Sequence, residues 1–387
     1  MKESLWRGIE EIIDQKQLEK LLAGTKPLRL KFGVDPSSPD IHLGHTVILR
    51  CLARLQKLGH TVIFLIGDTT ALIGDPSGKN KTRPVIDRDE VERNAKTYLE
   101  QVNKILDVDK AEIRRNSEWL DDLSLAKLLE LASNFTVAQL IEREDFKNRL
   151  DAGSDLGLHE LIYPLMVAYD SVVLKADVEF GGTDQRFNML AGRALQKKMG
   201  QPAQQVVMGK LLVGTDGSQK MSKSLGNYIG ITDAASDMYG KIMSIPDNLI
   251  VPYYELCTDI DQPVLEQLTK TLAEGANPRD AKASLAREIV TIYHGEEAAL
   301  AAEVDFDRVF RHKELPQNIV EVEVSTGDQD VATMLVELGL SQTKSEAKRV
   351  IVQGGVRING QRVSEAKHNF KSGDVVQVGK LRSARLK

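Results

Sequence analysis

The chain has 387 residues, 42% hydrophobic and 28% charged, with a net charge of −5; this is the balance of a folded globular protein and, at about 150 residues per domain, it predicts two or three domains. The longest apolar run, residues 62–66, falls far short of the roughly 18 residues that cross a bilayer. Arg7, Glu10 and Glu11 break up any secretion signal, and Cys51 and Cys257 offer neither metal-ligand spacing nor a disulfide framework, so the expectation is no membrane and a reducing cytoplasm.

From the N-terminus, the amphipathic stretch 5–22 predicts a helix, and 28–34 alternates as a strand that stops at Asp35-Pro36. The turn Ser37-Ser38-Pro39-Asp40 leads into a helix over about 42–58, closed by Gly59. Residues 61–66 then read as a buried strand. A strand–helix–strand unit of this kind predicts a doubly wound α/β frame with ligands at the carboxyl ends of the strands. A second glycine-bearing loop, Gly74-Asp75-Pro76-Ser77-Gly78-Lys79, follows.

Residues 88–170 predict mainly helices, with Val91, Ala95, Tyr98, Leu99, Val102, Ile105 and Leu106 on one buried face. Strand signals return at 171–174, 177–180 and 205–212, and 233–312 reads as helical with boundaries at Pro246, Pro252 and Pro278. The acidic, turn-rich stretch 320–330 reads as a linker. Beyond it, 331–338 and 345–352 predict two helices, Gly354-Gly355 ends the second, and 356–363 is a hairpin around Asn359-Gly360. Charge is uneven along this order: residues 341–387 carry +8 and the preceding body −13. A basic module on an acidic body predicts a local polyanion site.

Two motifs carry chemistry. His42-Leu43-Gly44-His45 stands where a loop enters a helix, whose free backbone N–H groups and dipole suit a phosphate chain. Histidines three apart share one helical face and can donate to phosphate oxygens, and Gly44 leaves room for a flat base. About 175 residues later comes Lys220-Met221-Ser222-Lys223-Ser224, two lysines on a glycine-flanked loop able to close on a polyphosphate. Read singly, each motif also fits a solvated surface segment.

Together, and in this order on a doubly wound frame, the two motifs resemble the class I aminoacyl-tRNA synthetases. Lys31-Phe32-Gly33-Val34-Asp35-Pro36, Gly74-Asp75-Pro76-Ser77-Gly78-Lys79, Tyr163-Pro164-Leu165-Met166-Val167-Ala168-Tyr169-Asp170 and Gly181-Gly182-Thr183-Asp184-Gln185-Arg186-Phe187-Asn188 resemble the bacterial tyrosyl-tRNA synthetases in particular. The resemblance runs from about residue 28 through the second motif and includes the basic tail.

The resemblance implies an α/β, Rossmann-like catalytic domain over 1–230 with a helical, dimer-forming insertion at about 88–170. A helical domain over 231–320 and a small α+β RNA-binding domain over 331–387 would follow. The tail's helix pair, Gly-Gly break and hairpin resemble an RNA-binding module first seen in a small-subunit ribosomal protein, with Lys344, Lys348, Arg349, Arg357 and Arg362 on elements able to face RNA.

The resemblance further implies that tyrosine is activated with ATP to tyrosyl-adenylate and pyrophosphate, then passed to the terminal adenosine of a tRNA, with Mg2+ travelling with ATP and no protein-built metal site. Asp170 would accept the phenolic OH, so that phenylalanine would leave a buried charge unpaired. Asp75 and Tyr163 would hold the ammonium and Gln185 the carboxylate end, with Lys31, Asp35 and Val167 also around tyrosine. Ser37, His42, Gly44, His45, Gly182, Asp184, Leu212 and Val213 would border ATP, and Lys79, Arg83, Lys220 and Lys223 the pyrophosphate.

Three positions depart from the family pattern. Lys31 stands where many members have a tyrosine touching the phenol, and Val167 where a glutamine usually bonds the amino group. Ile48, with Thr46 nearby, replaces a ribose-contacting hydroxyl. An adenylyl- or cytidylyltransferase would also use HxGH, but this resemblance would not predict KMSKS or an RNA module. A non-catalytic RNA-binding protein would have no need of His42, His45, Lys220 and Lys223.

Overall fold

A computed structural model of the chain describes residues 3–37, 39–76, 86–311, 320–341, 343–363, 365–379 and 382–387. Two compact units, Met1–Tyr293 and His294–Lys387, make it up.

The first unit runs β1 (Ile9–Ile13), α1 (Gln15–Leu22), β2 (Arg29–Val34), α2 (Leu43–Lys57), β3 (Thr61–Ile66), α3 (Asp68–Ile73), α4 (Arg88–Val102) and β4 (Glu112–Arg115). Five helices follow, α5 (Ser117–Leu120), α6 (Leu125–Ala132), α7 (Val137–Ile141), α8 (Glu144–Asp151) and α9 (Leu158–Leu174), then β5 (Val178–Gly182), α10 (Arg186–Lys198) and β6 (Gln205–Gly209). Helices α11 (Ala235–Met243), α12 (Ile250–Cys257), α13 (Gln262–Ala273) and α14 (Pro278–His294) complete the run.

The strands form one sheet in the order β1-β6-β5-β2-β3-β4. All neighbours are parallel except β1, which runs antiparallel to β6. Helices cover a parallel sheet on both faces, so its central strands are apolar without alternation. In β3, Val62, Ile63, Phe64, Leu65 and Ile66 are all buried, each contributing about 1.5–3 kcal/mol. Helix α2 turns Leu43, Val47, Leu49, Leu52 and Leu55 into that core.

Four expectations are corrected. Residues 5–22 are not one helix: Gly8 turns the chain at φ +80°, Ile9–Ile13 pairs with β6, and Asp14 caps α1 by accepting from the Gln17 N–H at 3.2 Å. The three β-branched isoleucines of this segment favour the strand over the helical spacing they also satisfy. Within the stretch expected to be helical, β4 adds an edge strand whose polar sequence EIRR carries no alternation, as charged edge strands often do. Residues 171–174 are the last turn of α9, not a strand, and β6 stops at Gly209.

The fourth correction lies in the second unit, where 320–330 is paired chain and not a free linker: β7 (Val320–Val322) runs parallel to β13 (Arg382–Leu386). β8 (Gly327–Asp330) pairs with β11 (Lys367–Phe370), and Asp330 caps the next helix. Helix α15 (Glu296–Arg311) precedes these strands, and α16 (Val331–Glu337) and α17 (Lys344–Val352) follow β8. A five-stranded sheet has the order β10-β9-β12-β13-β7, with β9 (Val356–Ile358), β10 (Gln361–Arg362) and β12 (Val375–Val378). The expected hairpin turns at Asn359 (φ 51°) and Gly360 (φ +81°), the left-handed pair that an Asn-Gly turn needs. Met334, Leu335, Ile358, Phe370 and Val376 form this unit's own core. Among the described residues, no helix is long and apolar enough to cross a membrane.

Candidate active site

The carboxyl ends of β2, β3 and β5 open into a cleft of about 650 Å³. Two clusters line it, one buried and hydrogen-bonded throughout, the other more exposed and rich in cations.

The buried cluster centres on α9. Asp170 Oδ1 accepts from the Trp119 indole N–H at 2.8 Å and Oδ2 from the Asn116 amide at 3.4 Å. Burial pushes its carboxyl up to about 7, with the Lys31 charge pulling the other way. Two turns earlier, the Tyr163 hydroxyl donates to Asp35 Oδ2 at 2.9 Å, while Asp35 Oδ1 accepts from Thr70 at 2.8 Å. Burial, then the Asp35 and Asp75 charges, hold the Tyr163 phenol neutral far above neutral pH.

Asp75, on the loop after α3, accepts from the Gln185 amide at 2.8 Å, and Gln185 in turn accepts from Asn188 at 2.7 Å. Arg143, 5% exposed at the head of α8, closes this ring. Its guanidinium reaches Asn188 at 3.2 Å, Asp145 at 2.7 Å and Asp75 at 3.6 Å. The guanidinium is a rigid planar fork of five donors, so it can hold two carboxylates and an amide at once in fixed directions.

The cationic cluster is built on the first turn of α2. His42 is the N-cap: its Nδ1 accepts from the Gly44 N–H, and His45 Nδ1 accepts from the His42 N–H, both at 3.2 Å. Burial drives the His42 ring far below its ordinary range, with the His45, Lys223 and Lys220 charges adding to the effect; burial and then Lys223 bring His45 to about 4. Both rings are therefore neutral near pH 7. With each Nδ1 used as an acceptor, each ring keeps one N–H, on Nε2, to offer a ligand. A Cβ at Gly44 would come within 3.0 Å of the His42 ring, so only glycine fits there without a shift.

The loop carrying Lys220 and Lys223 is pinned at its base. Val213 and Lys220 form a bridge, and the Met221 N–H donates to the Leu212 carbonyl at 2.7 Å. Asn227 holds both arms: its amide donates to Asp216 at 2.6 Å and to the Lys220 carbonyl at 3.1 Å, and its oxygen accepts from the Ser222 N–H at 2.7 Å. The chain then pairs with the start of α2 through the His42–Gly230 bridge and the Leu43 N–H to Ile229 carbonyl bond. Lys220 Nζ sits 2.7 Å from Asp184, and Lys223 Nζ lies over the Tyr98 ring at 5.3 Å. Burial pushes the Lys223 ammonium down to about 8.

Of the residues singled out from sequence, Lys31, Asp35, Ser37, His42, Gly44, His45, Asp75, Tyr163, Val167, Asp170, Gly182, Asp184, Gln185, Leu212, Lys220 and Lys223 all line this one cleft. Val213 is not among the lining residues: it is paired to Lys220, and its carbonyl accepts from Tyr253, whereas Leu211 and Leu212 do line the cleft. Lys79 and Arg83 lie outside the described residues. Ile48 lines the cleft, whereas Thr46 is buried and its hydroxyl donates to the Leu43 carbonyl.

Sequence reasoning missed Asn116, Trp119 and Arg143, polar residues with no motif around them, and gave no role to Asn188 at the end of the 181–188 segment. It also missed two buried amides of α4. Asn94 donates to the Pro36 carbonyl, while Gln101 accepts from the Ile41 N–H and donates to the Pro39 carbonyl, fixing the loop before His42. In the second unit, Lys344, Lys348, Arg349, Arg357 and Arg362 are all exposed.

Residues 23–311 match the class I tRNA synthetases of the W and Y group, and residues 331–376 match the S4 domain. The chain belongs to that class I synthetase family. Curated relatives that it resembles over nearly its whole length are tyrosine–tRNA ligases. Tyrosine–tRNA ligase 2 of Clostridium acetobutylicum is 50% identical over 98% of this chain and 96% of its own length. The tyrosine–tRNA ligase of Haemophilus influenzae is 50% identical over 99% of this chain and 96% of its own. Among solved structures, tyrosyl-tRNA synthetase of Archaeoglobus fulgidus complexed with L-tyrosine superposes with a TM-score of 0.62 at 25% identity, covering 78% of this chain and 98% of that one.

Proposed function

We propose that the chain joins tyrosine to its tRNA: it activates tyrosine with ATP to tyrosyl-adenylate and pyrophosphate, then transfers the tyrosyl group to the terminal adenosine. The carrying observation is that one cleft holds both a buried carboxylate, Asp170, and the paired His42–His45 and Lys220–Lys223 elements. Tyrosine binds in the buried cluster, its hydroxyl donating to Asp170, its ammonium near Asp75 and Tyr163, and its carboxylate toward Gln185. Val167 supplies no polar side chain, so the ammonium relies on Asp75, whose orientation Arg143 and Gln185 hold. Lys31 and Asp35 act through neighbours: Asp35 is occupied by Tyr163 and Thr70.

ATP lies along Ser37, His42, Gly44, His45, Gly182, Asp184 and Leu212. The tyrosine carboxylate, ionised at neutral pH, attacks the α-phosphorus, and the bond to the bridging oxygen of pyrophosphate breaks. No general base is required, so catalysis consists of alignment and stabilisation of phosphate charge. The Nε2–H groups of His42 and His45 donate to phosphate oxygens without adding charge. Lys220 and Lys223, joined by Lys79 and Arg83, neutralise the departing pyrophosphate. Mg2+ enters with ATP as part of that substrate.

We assign 1–230 as the catalytic domain, 231–320 as a helical domain and 331–387 as the RNA-binding domain, in which Lys344, Lys348, Arg349, Arg357 and Arg362 contact tRNA phosphates. A second copy of this chain covers α6–α9, which leave Leu125, Leu129, Val137 and Leu158 61–74% exposed. The setting is the cytoplasm, where tRNA is charged. Exchange of labelled pyrophosphate into ATP, run with each amino acid in turn, tests the activity: tyrosine alone supports it, and exchange with a different amino acid or with none rejects the reading.

A further inference from the structure

Strand β2 buries a lysine in its middle. Lys31 is 1% exposed, and its ammonium has three acceptors: Glu179 Oε1 on β5 at 2.8 Å, Ser171 Oγ at 2.8 Å and the Val167 carbonyl at 3.1 Å. An ammonium has three N–H donors, so all of them are used. Val167 and Ser171 flank Asp170 on α9, so the lysine ties the strand to the helical turn that presents that carboxyl.

The rest of the cluster is built to match. The Ser171 hydroxyl donates to Glu179 Oε2 at 3.1 Å, and the Gln204 amide donates to the same oxygen. Gly192 on α10 leaves the space, since a Cβ there would lie 2.9 Å from both Ser171 Oγ and Gln204 Nε2. Buried ion pairs of this kind are often no more stabilising than apolar residues of the same volume, so stability alone gives weak grounds for one here.

We propose that Lys31 is a positioning residue for the phenol of tyrosine: it fixes the α9 turn bearing Asp170 and holds a buried positive charge on that same turn, at the Val167 carbonyl and the Ser171 hydroxyl, so that the site presents a charged acceptor that selects a phenol over a phenyl ring. The proposal rests on reading the cleft as a tyrosine site, and it assigns Lys31 no contact with substrate. The titratable groups bearing on Asp170 are Lys31 from β2, which favours its charged form, and Glu179 from β5, which opposes it. Trp119 and Asn116 add hydrogen bonds that also favour the charged form. Without the ammonium, burial and Glu179 act unopposed by any charge, and Asp170 is largely protonated at neutral pH. A neutral acid loses less than a carboxylate when phenylalanine leaves it without a partner.

The test compares wild type, Lys31→Met and Lys31→Met/Glu179→Gln in ATP–pyrophosphate exchange with tyrosine and with phenylalanine from pH 6 to 9. In wild type, 1/KM for tyrosine rises with pH through the Asp170 titration near 7. Lys31→Met moves that rise up by about one pH unit and lowers the tyrosine-to-phenylalanine ratio of kcat/KM about tenfold at neutral pH, while KM for ATP changes less than about twofold. The double variant removes the charge that Lys31→Met strands, so it keeps the fold, and it shows the same displacement at smaller size. A folded double variant with the wild-type pH profile and the wild-type phenylalanine ratio overturns the proposal. Wild type that shows no tyrosine-dependent exchange at any pH instead overturns the tyrosine reading beneath it, and the two failures are told apart by that first curve.

Discussion

The buried and the cationic clusters of the cleft solve different problems with different materials. Around Asp170, Asp75 and Asp35, side chains of α3, α5, α8, α9 and α10 and the loops beside them are already joined by hydrogen bonds of 2.7–3.4 Å before any substrate arrives. Around His42 and Lys220 the backbone is pinned, but the lysine heads rest on an exposed aspartate and a tyrosine ring. A fixed array suits recognition of a neutral hydroxyl and an ammonium in the ground state. Charges on a loop suit a phosphate whose charge shifts only during transfer. The division predicts that damage to the buried cluster appears in stability and tyrosine affinity, and damage to the cationic one in rate.

The largest expected effect is on Arg143. Arg143→Ala leaves Asp75, Asp145 and Asn188 short of a partner in a buried setting and destabilises the protein by about 3–5 kcal/mol, read by urea unfolding. Lys223→Ala comes next: adenylate formation slows by about 10²–10³-fold in a single-turnover assay, with the unfolding curve unchanged. Asp170→Asn weakens the transition state for tyrosine by about 1.5–3 kcal/mol, with phenylalanine hardly affected. A Lys223→Ala variant that unfolds early, or an Arg143→Ala variant that is stable but slow, would break the comparison.

Acidity separates the clusters as well. The folded-state value of Asp170, about 7, lies above its ordinary 3.8, so the folded chain holds an extra proton between these values. Its contribution to ligand-free stability is present at low pH and lost as pH rises through about 7. Tyrosine binding to the carboxylate offsets that loss, so the tyrosine-induced rise in Tm is larger at pH 8 than at pH 6. Lys223, pushed down to about 8, loses its charge above that value, and kcat/KM for ATP falls there. No limb near 6.5 follows from histidine, because His45 is protonated only near pH 4 and His42 lower still.

The tail bears on the second step alone. Deleting residues 331–387 leaves pyrophosphate exchange largely intact and abolishes charging of tRNA. Replacing Lys344 alone weakens tRNA binding and lowers the slope of log affinity against log salt by about 1.

Much of the frame was legible in the sequence because its signals are local. The apolar run of β3, the glycine after α2 and the Asn359-Gly360 turn each fix their own backbone, and β2–α2–β3 appears with ends within about a residue of those expected. Failures came where tertiary pairing chose between local options. Ile9–Ile13 became a strand because β6 offers an edge, and the apolar residues 171–174 stayed helical as the end of α9.

The same distinction holds in the site. His42, His45, Lys220 and Lys223 stand in short motifs and line one cleft. Asn116 and Trp119 of one helix start, Arg143 before α8 and Asn188 on α10 are far apart in sequence from the groups they hold and matter through partners that no spacing reveals. The bond pattern of His42 and His45 adds one detail: each ring spends Nδ1 on the backbone and has a single donor left.

Equilibrium binding of tyrosine, without ATP, to wild type and to a Lys220→Ala/Lys223→Ala variant tests the division of labour most directly. The predicted result is the same Kd for both proteins, with adenylate formation lost only in the variant. A variant that fails to bind tyrosine would show that the cations help build the amino-acid site, and the separation drawn between the two clusters would be wrong.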